Sequence, residues 1–203
     1  KIFVDELPED KANKVALVLH TQISDENGTD LEAVRQMLFG NEKKYNIIFD
    51  QNKYPSNVMN LLYNAADGCA LISSNEGWGL SLTEAMMCGK PIIAIKTGGL
   101  SRQVEDIETG EQYGIALEPD VKSLVGNQMV PYIYEDLVSH ETVSSAYMKM
   151  YELGPQGRKE LGMKAMKHAH KDYNIDDVVK SWDKTLSKTI DQWKNNRPSF
   201  WSH

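Results

Sequence analysis

Cysteine is nearly absent from this 203-residue chain, and the two that occur, Cys69 and Cys88, are too few for a disulfide framework. That scarcity points to a reducing compartment. No stretch approaches the roughly 20 consecutive apolar residues that a bilayer-spanning helix needs, and the opening KIFVDELPED has no signal-peptide core. A soluble, cytoplasmic chain is expected, with any peripheral docking on a membrane left to a partner domain. Basic residues are the minority, 22 Lys and Arg against 29 Asp and Glu for a net charge of -7. This argues against a surface that neutralises many phosphates of a nucleic acid, but one local site for an anion needs no basic protein. Histidine is scarce and scattered over positions 20, 140, 168, 170 and 203. His168 and His170, two apart on an expected helix, point to different faces, which is wrong for a metal pair. The chain has no internal repeat and no low-complexity segment.

What the chain has is a hydrophobic content of 41%, enough for one α/β domain with a real core. Short β-rich runs alternate with helical patterns: KVALVLH (14–20), YNIIF (45–49), CALI (69–72), PIIAI (91–95) and GIAL (114–117). Each is nearly all apolar, as strands covered on both faces are. Between them Asp30 is placed to cap DLEAVRQMLF before Gly40, and Ser56 to cap NVMNLLYNAA after Pro55. This β-α-β-α order predicts a parallel sheet with right-handed crossovers and helices on both faces. Ligands of such open sheets bind at the carboxyl ends of the strands, so loops 21–30, 50–56, 73–79 and 96–99 are where chemistry is expected.

Beyond residue 118 an irregular stretch, VKSLVGNQMVPYIYED, precedes helical patterns near 140–152, 155–172 and 175–193. In the last, Ile175, Val178, Val179, Trp182, Leu186, Ile190 and Trp193 recur at helical spacing behind a cap at Asn174 and Asp177. Its tail keeps Phe200 and Trp201, which suggests packing on another surface. The expected organisation is a single domain over 1–203, with a core at 1–118, a C-terminal helical part at 119–194 and a tail at 195–203.

The informative stretch is SSNEGWGLSLTEAMMCGKP, residues 73–91, between two strand runs. Gly77 and Gly79 remove side chains where a ligand could meet the backbone, and the helix that follows offers unpaired N–H groups near Leu80 and Ser81. Together these suit a phosphate or diphosphate. Glu84 sits one turn inside that helix, and helical side chains lean toward the N-terminus, so its carboxylate can reach a group attached to docked phosphates. A carboxylate repels phosphate but accepts two hydroxyl hydrogen bonds from a ribose well. Glu76, before the glycines, would lie at the other end of such a ligand. The same glycines also suit a plain strand-to-helix turn with both glutamates solvated, and two acids eight positions apart shift the balance toward a ligand.

Ser73, Glu76, Gly77, Gly79, Leu80, Glu84, Ala85, Met86, Cys88, Gly89 and Pro91 resemble the E-x7-E signature of glycosyltransferase family 4, with Trp78 at the aromatic position and Ser81 where proline is common. LVLHT (17–21), LYNAAD (62–67) and TGGLSRQV (97–104) are similar to family segments in the same order, and the resemblance covers residues 1–118 well and the closing helices loosely. It implies a Rossmann-like domain, the C-terminal, nucleotide-sugar-binding half of a GT-B enzyme that transfers a sugar with retention and without a bound metal or other cofactor. By position, Glu84 would bind the donor's ribose hydroxyls and Glu76 the transferred sugar. The backbone from Gly77 through Trp78, Gly79 and Leu80 to Ser81 would contact sugar and diphosphate, and the loop at Phe49, Asp50 and Gln51 would face the nucleobase.

Two departures stand out. The family's Arg and Lys that neutralise the diphosphate follow a strand for which this chain starts too late, and the acid usual after the Gly-Gly pair is Arg102. With no acceptor-binding N-terminal domain either, the chain is expected to be a piece of a longer enzyme, inactive alone. The alternative is a non-catalytic nucleotide-sugar-binding module working with a partner chain, and a third reading is a GT-B relative that uses the pocket for another reaction such as epimerisation. His20 ends a strand at the ligand edge. Lys96 and Arg102 read as solvated loop cations, Cys88 as buried packing, and Met86, Met87, Met148, Met150, Met163 and Met166 as core filler.

Overall fold

A computed structural model describes residues 1–25, 28–129 and 131–196. Two short helices, α1 (Ile2–Glu6) and α2 (Glu9–Ala12), lead into β1 (Ala16–His20), α3 (Leu31–Phe39), β2 (Asn46–Asp50) and α4 (Ser56–Ala65). The chain continues through β3 (Cys69–Leu71), α5 (Leu80–Met87), β4 (Ile92–Ile95), α6 (Leu100–Val104) and β5 (Ile115–Leu117). It closes with β6 (Val121–Val125), β7 (Ile133–Leu137), α7 (His140–Glu152), α8 (Gly154–Asp172) and α9 (Ile175–Asn195).

The strands predicted from apolar runs all form and pair in parallel, but in two sheets rather than one. β1 pairs with β2 in register from Ala16 opposite Asn46 to His20 opposite Asp50. β4 lies between β3 and β5. Among the described residues no ladder links the two groups. Coverage differs accordingly. β4 is buried at every residue, held between α5 and α6, as an all-apolar central strand requires. β1 and β2, expected to be covered on both faces, instead expose Leu17, Val18 and Ile48 to between 44% and 46%. Among the described residues β1 also has no strand on the edge away from β2.

The core gathers α5, β4, α6 and the faces of α7 and α8 that meet them: Leu82, Ala85, Met86, Ile92, Ile93, Ile95, Leu100, Val104, Met150 and Ala165. Met86 and Met150 are core residues as expected, whereas Met163 is nearly half exposed. Local chemistry sets several helix ends. Asp30 accepts the Ala33 N–H at 3.0 Å, and Gly40 follows α3 with φ 53°. Asn174 accepts the N–H groups of Asp176 and Asp177. Ser56, expected as a cap, is instead the first helical residue, with Pro55 at the cap position and no side-chain bond there.

Residues 121–137 correct the expectation of an irregular stretch within a helical part. β6 and β7 form an antiparallel hairpin, Val121 opposite Leu137 through Val125 opposite Ile133. The hairpin is pinned to the body: the Asp136 N–H donates to the Ser74 carbonyl at 2.7 Å, and Asn75 Nδ2 donates to the Tyr134 carbonyl. The closing helix α9 has no buried residue, and its stripe from Val178 through Trp182, Leu186 and Ile190 is 40% to 62% exposed. Phe200 and Trp201 lie outside the described residues. No helix among the described residues is long and apolar enough to cross a membrane.

Candidate functional site

The stretch 73–91 runs from the end of β3 through a glycine turn into α5 and on to β4. Gly79 occupies the position before the helix with φ 80°, a left-handed conformation that favours glycine. A side chain there would also collide with Leu100. No side chain caps α5; Leu82 and Thr83 donate to the Gly79 carbonyl. The N–H groups of Leu80 and Ser81 are therefore the helix's unclaimed donors, and both residues are exposed.

The turn is held from behind by α6. Gly98 has φ 47° and no room for a Cβ against the Glu76 carbonyl, which the Gly99 N–H approaches at 3.3 Å. A Cβ on Gly99 would stand 2.6 Å from the Gly77 oxygen and 2.7 Å from Trp78 Cα. The Gly98–Gly99 pair thus presses its backbone on the backbone of residues 76–78. Gln103, fully buried on α6, donates through Nε2 to the Trp78 carbonyl. The Trp78 indole N–H donates to Thr83 Oγ1 at 3.1 Å, and its ring meets Tyr173 edge-on at 4.9 Å. Tyr173 is in turn tied by its hydroxyl to the Arg102 carbonyl and to His168 Nε2, and His168 stacks on Tyr113 at 3.9 Å. The Trp78 indole and carbonyl are thus both engaged from within the fold.

The two acids differ in setting. Glu84 is exposed on α5, and the Tyr63 hydroxyl from α4 donates to its Oε2 at 2.7 Å. Burial, then the neighbouring carboxylate, pushes the Tyr63 phenol well above its ordinary pKa, so it stays a donor. Glu76 is half-buried and receives a long 3.5 Å contact from the Ser73 hydroxyl. At Cys88, half-buried rather than fully buried, Sγ accepts from Asn60 at 3.4 Å. Burial pushes the Cys69 thiol up to about 11.

The expected nucleobase loop is a network of its own. Asp50 accepts from the backbone N–H and side-chain amide of Asn52 and from the Tyr54 hydroxyl, with His20 Nδ1 at 3.2 Å and the His20 ring stacked on Tyr54. Burial raises the Asp50 carboxyl, but the hydrogen bonds outweigh it and hold the group below the usual carboxylate range. Gln51 Oε1 accepts the Ile23 N–H, and Phe49 is half-buried in β2. No hydrogen bond joins these three residues to the glycine turn among the described residues. Lys96, read as a solvated cation, is instead shared between Glu105 at 3.2 Å and Glu118 at 2.7 Å, so its charge is neutralised locally. No group of three or more His, Cys, Asp or Glu is gathered for a metal among the described residues.

The spacing along 73–91 predicts the glycine turn and the place of Glu84 one turn inside α5 that the structure has, and gives no role to Tyr63, Gln103, Tyr173 or the hairpin. Tyr63 lies inside a segment singled out for its resemblance to the family, which was the available signal. The others act across elements and leave no local pattern.

A family model described as Glycosyl transferases group 1 matches residues 4–123. The trehalose phosphorylase of Grifola frondosa is 27% identical over 147 residues, 71% of this chain and 19% of that protein. The trehalose synthase of Pyrococcus horikoshii is 44% identical over 52 residues, 26% of this chain and 12% of that protein. In fold the chain is similar to the sucrose-phosphate synthase of Thermosynechococcus elongatus, with a TM-score of 0.63 at 20% identity, covering 87% of this chain and 38% of that one. It is also similar to Anabaena HepE in complex with UDP-glucose, with a TM-score of 0.57 at 19% identity, covering 85% and 40%. The chain therefore spans a fifth or less of the first two proteins and about two fifths of the two solved chains.

Proposed function

The chain belongs to the glycosyl transferases group 1 family, and from that premise we propose that residues 73–91 bind the donor of a sugar transfer, a nucleoside diphosphate sugar, with a hydroxyl as acceptor and retention at the anomeric carbon. The observation that carries the reading is the exposed Glu84 carboxylate one turn inside a helix whose first N–H groups are unclaimed. Anion-directed N–H groups and a hydroxyl-directed carboxylate on one helix match a ligand with phosphates at one end and a ribose beside them. Anabaena HepE was captured with such a ligand, and the ligand class is carried here on the shared fold.

In this reading the turn from Gly77 to Ser81 takes the diphosphate and sugar through backbone N–H groups, Glu84 takes the ribose hydroxyls, and Glu76 takes hydroxyls of the transferred sugar. The nucleobase lies toward Phe49, Asp50 and Gln51. The chemical step depends on stabilising the departing diphosphate with prearranged dipoles, and the reading assigns it no metal or other cofactor. Lys96 is committed to two glutamates, so a cation for the leaving group would come from outside these residues. The acceptor would sit on a facing domain that closes over the donor and excludes water. The exposed stripe of α9 is a candidate surface for that domain. The 203-residue chain alone then binds donor without transferring it.

The committed state of Lys96 also favours a second reading, a binding module that works with a partner chain. Calorimetric titration with a panel of UDP-, GDP- and ADP-sugars tests the shared part: at least one binds, and binding by none refutes both readings. The two are separated by joining the chain to its acceptor domain. Acceptor-dependent release of the nucleoside diphosphate that Glu76→Gln abolishes supports the transferase, and binding without release supports the module.

A further inference from the structure

We infer that Tyr63 is a positioning residue for the donor's ribose: its phenol fixes the Glu84 carboxylate so that the remaining lone pairs face a vicinal diol. This rests on the donor reading of Glu84 given above and goes further by naming what orients that carboxylate. Glu84 is a long exposed side chain, and among the described residues the Tyr63 hydroxyl is its hydrogen-bond partner, at 2.7 Å. An ionised carboxylate offers about four lone-pair sites on its two oxygens. One taken by Tyr63 on Oε2 leaves Oε1 and the second site of Oε2, a pair that two adjacent hydroxyls can share.

Tyr63 is suited to hold a carboxylate still. Its ring is half-buried against the central core, and an aromatic side chain has only two rotatable angles. The helix that carries it is pinned on the same face. Asn60 donates to Cys88 Sγ one turn before Tyr63, and the Asn64 carbonyl one residue after it accepts from Lys90. Positions 60 and 63 lie one turn apart on one face of α4, so polar contacts hold that helix to α5 at Glu84 and to the turn that follows α5. Burial keeps the phenol protonated.

The test compares UDP, GDP and ADP, each with its 2′-deoxy form, on the 203-residue chain and its variants. Wild type should prefer the ribonucleotide of the base it accepts by about tenfold or more. Tyr63→Phe should lose most of that preference while its affinity for the 2′-deoxy form stays as in wild type. A Tyr63→Phe protein that keeps the preference, or that loses affinity for both forms equally, overturns the inference, since a merely structural tyrosine would not move the ratio. Glu84→Ala in parallel separates the two levels. If it leaves the ratio unchanged, the donor reading falls and the inference with it; if it removes the preference while Tyr63→Phe does not, only the inference falls. Should Tyr63→Phe fail to fold, 3,5-difluorotyrosine at position 63 keeps the ring and lowers the phenol's pKa. The ribonucleotide preference should then fall as pH is raised through that titration while wild type stays constant, and a constant ratio in both overturns the inference.

Discussion

Replacing Gly99 by alanine adds one methyl group where there is no room for it. The Gly99 backbone is right-handed helical, φ -64° and ψ -25°, so alanine meets no conformational strain and the effect is steric. The new carbon would stand 2.6 Å from the Gly77 oxygen, 2.7 Å from Trp78 Cα and 3.0 Å from Trp78 Cε3. Carbon atoms pack best at about 3.5 to 4.0 Å, so the turn must retreat by roughly 0.8 Å, and two of the three obstacles are backbone. Overpacking of this kind costs about 1 to 3 kcal/mol. For a domain of this size that is a melting temperature lower by roughly 2 to 12 °C. The retreating atoms belong to the turn assigned to the donor, so affinity for nucleotide sugar should fall by about tenfold or more if one charge-assisted hydrogen bond is lost. Gly77→Ala is the control, since a Cβ there meets nothing within 4 Å. It should leave the melting temperature unchanged yet weaken donor binding by covering the exposed backbone a ligand would approach. Thermal melting and calorimetry on the two variants check this. Wild-type melting and affinity in Gly99→Ala would refute the idea that α6 shapes the turn, and equal thermal losses in both variants would refute the distinction between support and contact.

Glu76→Gln, in the chain joined to its acceptor domain, should lower turnover while leaving affinity for the bare nucleoside diphosphate near wild type; equal loss for nucleotide and nucleotide sugar would put this carboxylate at the wrong end. Met86→Ala, at a fully buried position of α5, should cost about 2 to 5 kcal/mol in chemical denaturation, and a smaller loss would mean that the core collapses around the site. Asp50 has a folded pKa below its ordinary value of 3.8, so its contribution to stability is present above that value and is lost as pH falls through the lower folded pKa. Asp50→Asn should therefore flatten the acid limb of a stability-against-pH curve, and an unchanged limb would show that the Asn52, Tyr54 and His20 network adds nothing.

The parts legible in the sequence were those whose cause is local. Asp30 and Asn174 cap their helices because a short polar side chain reaches the next N–H groups, and Gly79 turns left-handed between β3 and α5. The run PIIAI, all apolar, became a strand buried on both faces. KVALVLH is apolar between its Lys14 and His20 ends but is largely uncovered as β1, because an apolar run records a need for cover and not its presence. The hairpin of β6 and β7 escaped because Lys122, Ser123, Glu135 and Asp136 break its apolar pattern, although Gly126, φ 126°, begins its connecting loop and was a usable turn signal. Within the site, both glutamates and the glycines could be read because spacing along a turn and a helix fixes them. The hold of Tyr63 on Glu84 and of Gln103 on Trp78 could not, since each joins residues more than 20 positions apart through packing that no short pattern records.

The most direct measurement titrates wild type and Glu84→Ala with the UDP-, GDP- or ADP-sugar that the chain accepts and, separately, with inorganic pyrophosphate. A carboxylate that accepts ribose hydroxyls should give, on removal, a loss of about 1.5 to 3 kcal/mol against the nucleotide sugar and no loss against pyrophosphate, which has no hydroxyls to offer. Wild-type affinity of Glu84→Ala for the nucleotide sugar, or an equal loss for both ligands, would contradict the assignment of this helix to a ribose-bearing donor.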